Sequence, residues 1–154
     1  MDLKAKLNAM GMSLPAAPKP VATYVPAVRT GDLIVVSGQL PMRDGRLICQ
    51  GSVPSAVSLE QAREAAKQCA LNGLAVVDAM IDSDWTKFVR IVRLGGFVQC
   101  DDGYGDQPKV INGASELVGE LFGEAGRHAR AAVGVNSLPL GASVELEMIV
   151  QIKA

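Results

Sequence analysis

Hydrophobic positions along the chain follow two periods, one near 3.6 and one near 2. Leu3, Leu7 and Met10 recur at spacings of four and three, which predicts a helix over 2–12 stopped by Gly11. Prolines at 15, 18 and 20 exclude a continuous helix and predict an extended linker that carries on through 21–28. Gly31-Asp32 predicts a hairpin turn into Leu33–Gln39, whose branched side chains favour a strand. The turn-rich stretch 41–55 is expected to return through a short strand around Leu47-Ile48.

The helical period resumes at Ser58. Ser58 and Gln61 have capping-box spacing, in which each side chain satisfies a free amide at the helix start. Ala62, Ala65, Cys69, Val76 and Met80 form the apolar line of this helix, and Ala66 and Gly73 beside it allow close approach to a sheet. Asp82–Asp84 is expected to end it. Phe88–Leu94 then predicts a strand region running through Phe97-Val98, and Asp101–Pro108 a mobile loop. Ala114, Leu117, Val118, Leu121 and Phe122 mark a second helix from about Lys109, closed by Gly126.

Two strands end the chain, Arg130–Val135 and Ser143–Ile152, joined through Pro139-Leu140-Gly141 and read as a hairpin. In the second, Val144, Leu146, Met148, Val150 and Ile152 share one face, and Glu145, Glu147, Ile149 and Gln151 the other. The order of elements predicts an α+β fold, a sheet with two helices packed on one face, in a single domain over 1–154. The second sheet face holds Ile149, with Ile91 or Val92 as further candidates. Such a face calls for cover by a partner subunit.

Composition narrows the function classes. Lys plus Arg is 15 against 16 for Asp plus Glu, so the formal charge of -1 gives no footprint for nonspecific nucleic-acid binding. Aromatic content of 4% argues against a base-stacking surface. Cys49, Cys69 and Cys100 are odd in number and scattered, fitting neither a disulfide framework nor a metal knuckle. With no apolar run of membrane-spanning length, the expectation is a cytoplasmic protein without a membrane partner. Gly103-Tyr104-Gly105 lacks the third glycine of a dinucleotide fingerprint, and no cofactor is expected.

Arg130 carries the chemistry that remains. A guanidinium at the start of an apolar strand is costly to desolvate unpaired. It forms either an ion pair with an internal glutamate or a two-pronged clamp for a substrate carboxylate. Glu145, brought near it by the hairpin, suits orienting or deprotonating a water; a surface or interface acid is the alternative, and Glu147 competes for the role. Gly38 ends a strand where its carbonyl can meet a ligand or simply serve a turn, and Tyr104 is a candidate ligand contact in its loop. His128, the sole histidine, reads as a cap or solvent-facing ring and leaves a zinc site short of ligands. Glu116, Glu120 and Glu124 read as a solvated helix face. Cys100 has no evident base and reads as inert.

Taken in order, Ser37-Gly38-Gln39-Leu40-Pro41, the helix near Ala62, Val110-Ile111-Asn112, Ala129-Arg130 with Val133, and Leu138-Pro139 leading to Val144-Glu145-Leu146-Glu147 resemble the YjgF or Rid family, which includes proteins called L-PSP endoribonucleases. The resemblance covers most of the chain from Tyr24 onward. It implies a chorismate-mutase-like fold and a homotrimer with ligand clefts between subunits. It also implies hydrolysis of 2-imino or enamine acids to 2-keto acids and ammonia. Arg130 would clamp the substrate carboxylate, Glu145 would position or activate water, and Tyr24 would line the cleft. The Gly38 carbonyl would hold the substrate nitrogen, and Asn112 matches a recurrent residue near the second helix.

Ala132 stands where active members commonly have cysteine. The loop from Cys100 to Lys109 is longer than in compact members, and the N-terminal helix and proline linker extend the chain. A trimeric binder of keto acids or related carboxylates without turnover therefore stays open as a second class. An endoribonuclease is a third, against which the balanced charge and the lack of a histidine pair count.

Overall fold

The Asp2 carboxylate accepts from the Ala5 amide at 3.0 Å and so starts the first helix, α1 (Leu3–Ala9), whose Leu3 and Leu7 are buried. Gly11, at φ 71°, follows its last turn. The computed structural model describes residues 1–18 and 23–153, so the part of the proline linker at 19–22 lies outside the described residues. Gly31, at φ 58°, turns β1 (Ala27–Thr30) into β2 (Leu33–Gln39) as an antiparallel hairpin. The short strands β3 (Met42–Arg43) and β4 (Arg46–Leu47) pair with each other.

The predicted capping box is complete. The Gln61 amide donates to Ser58 Oγ at 3.1 Å and the Ser58 amide to Gln61 Oε1 at 3.0 Å, opening α2 (Leu59–Met80). Its small residues bring it onto the sheet: a Cβ at Gly73 would meet Met148 Cε at 2.5 Å. After β5 (Phe88–Gln99), α3 (Gln107–Phe122) starts with Pro108 in its first turn, where a missing amide is harmless. Gly123, at φ 58°, ends α3, and a separate 3-10 turn spans Gly123–Gly126 before β6 (Ala129–Val135). The second helix therefore stops before the predicted Gly126.

β7 (Val144–Ile152) does not form a hairpin with β6. The sheet order is β1-β2-β7-β5-β6, with β5 and β6 parallel and the other pairs antiparallel. The cause is the crossover through α3: a helix between two strands returns the chain parallel to the first, so β6 lies on one side of β5 and β7 takes the other.

Both long helices cover one face of the sheet. That face carries Val144, Leu146, Met148, Val150 and Ile152 from β7 and Leu94 and Val98 from β5, all buried. Ile91 also belongs to it and is fully buried opposite Val150, so it is not a residue of the uncovered face. Val92 falls in a bulge between Ile91 and Arg93. The uncovered face carries Val35 and Ile149 in register, with Glu145 and Glu147 further along β7.

Candidate active site

Strand alternation decides where the candidate residues point. Arg130 pairs in register with Leu94, and Ala132 with Gly96, against whose Cα the Ile111 side chain packs, so Arg130 and Ala132 face the helices. The Arg130 guanidinium reaches α3, where Nη1 donates to Asn112 Oδ1 at 2.7 Å and to Ser115 Oγ at 3.1 Å. The internal ion pair that the sequence also allows does not form among the described residues. Arg43, Arg63, Arg93 and Arg127 each pair with a glutamate, whereas Arg130, like Arg29, Arg46 and Arg90, has no carboxylate partner among the described residues. It is exposed, and its Nε and Nη2 meet no acceptor among those residues.

Ser115 was not singled out from the sequence. It lies three residues after Asn112, the spacing that puts two side chains on one helix face, and this was the available signal. The same hydroxyl lies 3.0 Å from His128 Nε2, and His128 Nδ1 lies 2.6 Å from the Gly126 carbonyl oxygen. His128 is thus a member of the arginine's network, where the sequence suggested a cap or solvent-facing ring.

Further along the same face, Gly134 leaves room for Cys100 and Gln107: a Cβ there would meet Cys100 Sγ and Gln107 Nε2, each at 2.7 Å. Gln107 Nε2 donates to the Tyr104 carbonyl oxygen at 2.6 Å. Tyr104 packs against the core, and burial, then the charge of Asp106, raises its hydroxyl pKa. Its loop is tied back by Ser55 Oγ, which donates to Asp101 Oδ1 at 2.8 Å, and by the Asp101 amide, which donates to the Val53 carbonyl at 2.9 Å.

Glu145 and Glu147 occupy the opposite, uncovered face. Glu147 Oε1 accepts from Arg93 Nη1 at 2.8 Å. Glu145 accepts no hydrogen bond from the described residues and lies half-buried against the Gly38 backbone, where a Cβ would collide with its carboxylate. Burial first, and the charge of Glu147 second, push its carboxyl above the ordinary range. Gly38 sits in the β-bulge between Val36 and Gln39, which turns its backbone toward Glu145. Gly38 and the exposed Tyr24 also line a groove of about 1120 Å³, with Met12, Leu40, Arg43 and Leu140 on its walls.

The candidates therefore form two groups. Arg130, Asn112 and Ser115 stand on the helix face of the edge strand, with Tyr104 along it; Glu145, Gly38 and Tyr24 belong to the β2–β7 side. Arg130 shares a register row with Leu94 and Met148, and Glu145 one with Phe97 and Val133. Two strand spacings and three residues separate them, roughly 14 Å between Cα positions, with side chains on opposite faces. One small substrate cannot touch both within one chain. Among the described residues no three metal-ligating side chains cluster, and no helix is long and apolar enough to cross a membrane.

The comparisons agree with this architecture. The family model described as "YjgF/chorismate_mutase-like, putative endoribonuclease" matches residues 4–151. Protein TCP17 of Trypanosoma cruzi is 39% identical over 149 residues, covering 96% of this chain and 92% of that protein. A 2-iminobutanoate/2-iminopropanoate deaminase of Dermatophagoides farinae is 31% identical over 144 residues, covering 92% and 95% respectively. Among solved structures, Atu1372 of Agrobacterium tumefaciens, a protein of unknown function, has a TM-score of 0.92 at 43% identity, covering 99% of this chain and 93% of that one.

Proposed function

The chain belongs to the YjgF/chorismate mutase-like family, and we propose that it hydrolyses 2-imino or enamine acids to 2-keto acids and ammonia in clefts between the subunits of a homotrimer. The observation that carries this reading is the Arg130 guanidinium, fixed by two neutral acceptors and paired with no carboxylate among the described residues. A cation oriented but not neutralised is suited to a substrate carboxylate, which it can meet through two parallel hydrogen bonds. The distance between the two groups of residues supports the intersubunit cleft: Arg130 of one subunit meets Glu145, Gly38 and Tyr24 of the next.

The chemistry needs little machinery, because an imine carbon is already electrophilic. With the carboxylate on Arg130 and the imine nitrogen donating to the Gly38 carbonyl, Glu145 accepts a proton from a water as its oxygen bonds to the imine carbon. That proton passes to nitrogen, and the resulting carbinolamine expels ammonia as the carbonyl forms. A raised carboxyl pKa brings Glu145 closer to neutral pH, where a group can both take and return a proton. Tyr24 and Tyr104 line the cleft, and no cofactor takes part. A second reading, a trimeric carboxylate binder without turnover, is favoured by Ala132, which puts an apolar methyl beside the arginine.

Ammonia release from freshly generated 2-iminobutanoate tests the proposal, with sedimentation measuring the assembly. Arg130→Ala is expected to lower kcat/KM by about 100-fold through loss of the charged clamp. No acceleration by a purified trimer, with 2-ketobutyrate still bound through Arg130 by calorimetry, would establish the second reading instead.

A further inference from the structure

The network behind Arg130 has a direction that its donors and acceptors dictate. The Gly126 carbonyl can only accept, so His128 Nδ1, 2.6 Å away, must carry a proton. In the neutral ring Nε2 is then an acceptor, and the Ser115 hydroxyl, 3.0 Å away, donates to it. With its proton committed to His128, Ser115 Oγ offers only lone pairs to Arg130 Nη1 at 3.1 Å. Nη1 has two protons, and its second goes to Asn112 Oδ1 at 2.7 Å. One end of the guanidinium is thereby saturated, and the Nε–Nη2 edge is left for a ligand.

We propose that Ser115 and His128 are positioning residues, and that His128, held as its Nδ1–H tautomer by Gly126, locks Ser115 as an acceptor so that Arg130 presents its Nε–Nη2 edge to the substrate carboxylate. This rests on the assignment of Arg130 as the carboxylate clamp. Neither residue touches the substrate. Their contribution is the aim of a planar group whose value depends on orientation, since a bidentate contact needs both donors in the carboxylate plane.

Because His128 is the only histidine, its ring nitrogens can be read directly in the assembled, ¹⁵N-labelled protein. At a pH where the imidazole is neutral, long-range ¹H–¹⁵N correlations should show a protonated Nδ1 and a bare Nε2. A protonated Nε2 overturns the proposal. Kinetics give the second arm: Ser115→Ala and His128→Phe should each raise KM for the imino acid about tenfold with kcat nearly unchanged, the loss expected for one hydrogen bond to a charged group. Ser115→Thr, which keeps the hydroxyl, should restore KM. If Arg130→Ala raises KM while Ser115→Ala and His128→Phe leave it alone, the positioning role fails and the clamp stands. If Arg130→Ala changes nothing, the clamp fails and the positioning role with it.

Discussion

Arg93 holds Glu147 across the uncovered sheet face, Nη1 to Oε1 at 2.8 Å, while Glu145, two residues away on the same face, has no cationic partner among the described residues. The pair separates two acids that the sequence makes alike. Glu147 is committed to an ion pair, and its charge helps raise the Glu145 pKa. Replacing Glu147 with Gln removes that repulsion, so the Glu145 pKa falls toward the ordinary range, though burial keeps it above. A base must be deprotonated to act, so the acid limb of the kcat/KM profile should move to lower pH. Arg93→Ala leaves Glu147 unneutralised and should move the limb the other way. An acid limb that ignores both changes would separate Glu145 from the proton transfer.

The raised pKa also ties Glu145 to stability. Between the unfolded and folded pKa values the native state binds more protons than the unfolded chain, so this group's contribution to stability falls as pH rises through that window. Above the folded pKa the charged carboxylate is a burden on the fold. Glu145→Gln should therefore unfold at a higher temperature than the parent at neutral pH, with the advantage vanishing below the ordinary carboxylate range. Its kcat should drop about 100-fold if Glu145 is the group that accepts the water's proton. Thermal melts across pH beside rate measurements check both.

Gly38 bears on the same acid from the other side. Its φ lies outside the left-handed region, so alanine is allowed by the backbone, yet the new methyl would occupy the space of the Glu145 carboxylate. That carboxylate is the free end of a flexible side chain, so it can rotate away at small cost to the fold. Gly38→Ala is expected to keep its melting temperature within a few degrees while kcat falls at least about tenfold, the effect of misplacing Glu145 if it is the proposed proton acceptor. A variant with full activity would mean that Glu145 does not need this position.

How far the sequence could be read follows from what each signal measures. The Ser58–Gln61 cap, the periods of α2 and α3 and the alternation of Val144–Ile152 are local, and all appear in the structure. Strand neighbours are not local. Arg130–Val135 and Val144–Ile152 lie close in the chain, but β5 separates them, because the α3 crossover fixes β6 parallel to β5. The same topology sends Arg130 and Glu145 to opposite faces, which no pattern within either strand reveals. Ile91 was ambiguous for a related reason: bulges at Phe88–Arg90 and Ile91–Arg93 reset the alternation of β5. Ser115 has a weak sequence signal, its three-residue spacing from Asn112, which marks a shared helix face but not that Arg130 and His128 meet it there.

Asn112 tests whether the charge of Arg130 must stay unneutralised. It accepts from Nη1 at 2.7 Å as a neutral amide. Asn112→Asp keeps the size and the acceptor but adds a negative charge, which pairs with the guanidinium and competes with an incoming carboxylate. Asn112→Ala only removes an acceptor. The aspartate should therefore weaken 2-ketobutyrate binding more than the alanine, by about tenfold beyond it, and high salt should narrow the gap. Equal affinities by calorimetry would count against the proposed charge-dependent clamp.

Two glycines of α3 separate packing from helix propensity. A Cβ at Gly113 would run into the backbone carbonyl of Arg63, whose guanidinium reaches over α3 to the Lys109 carbonyl at 3.0 Å and to Glu116 at 2.6 Å. Gly113 thus sets how closely α2 and α3 approach, and a rigid backbone cannot yield as a side-chain end does. Gly119, on the same helix, has nothing within 4 Å of a built Cβ. Alanine is the better helix former at both positions, yet Gly119→Ala should gain about 0.5–1 kcal/mol while Gly113→Ala loses about 2–3 kcal/mol by forcing the helices apart. Urea unfolding of the two variants reads the difference directly. Because α3 also carries Asn112 and Ser115, a shift of the helix at Gly113 should weaken the hold on Arg130 and raise KM, whereas Gly119→Ala should leave it unchanged.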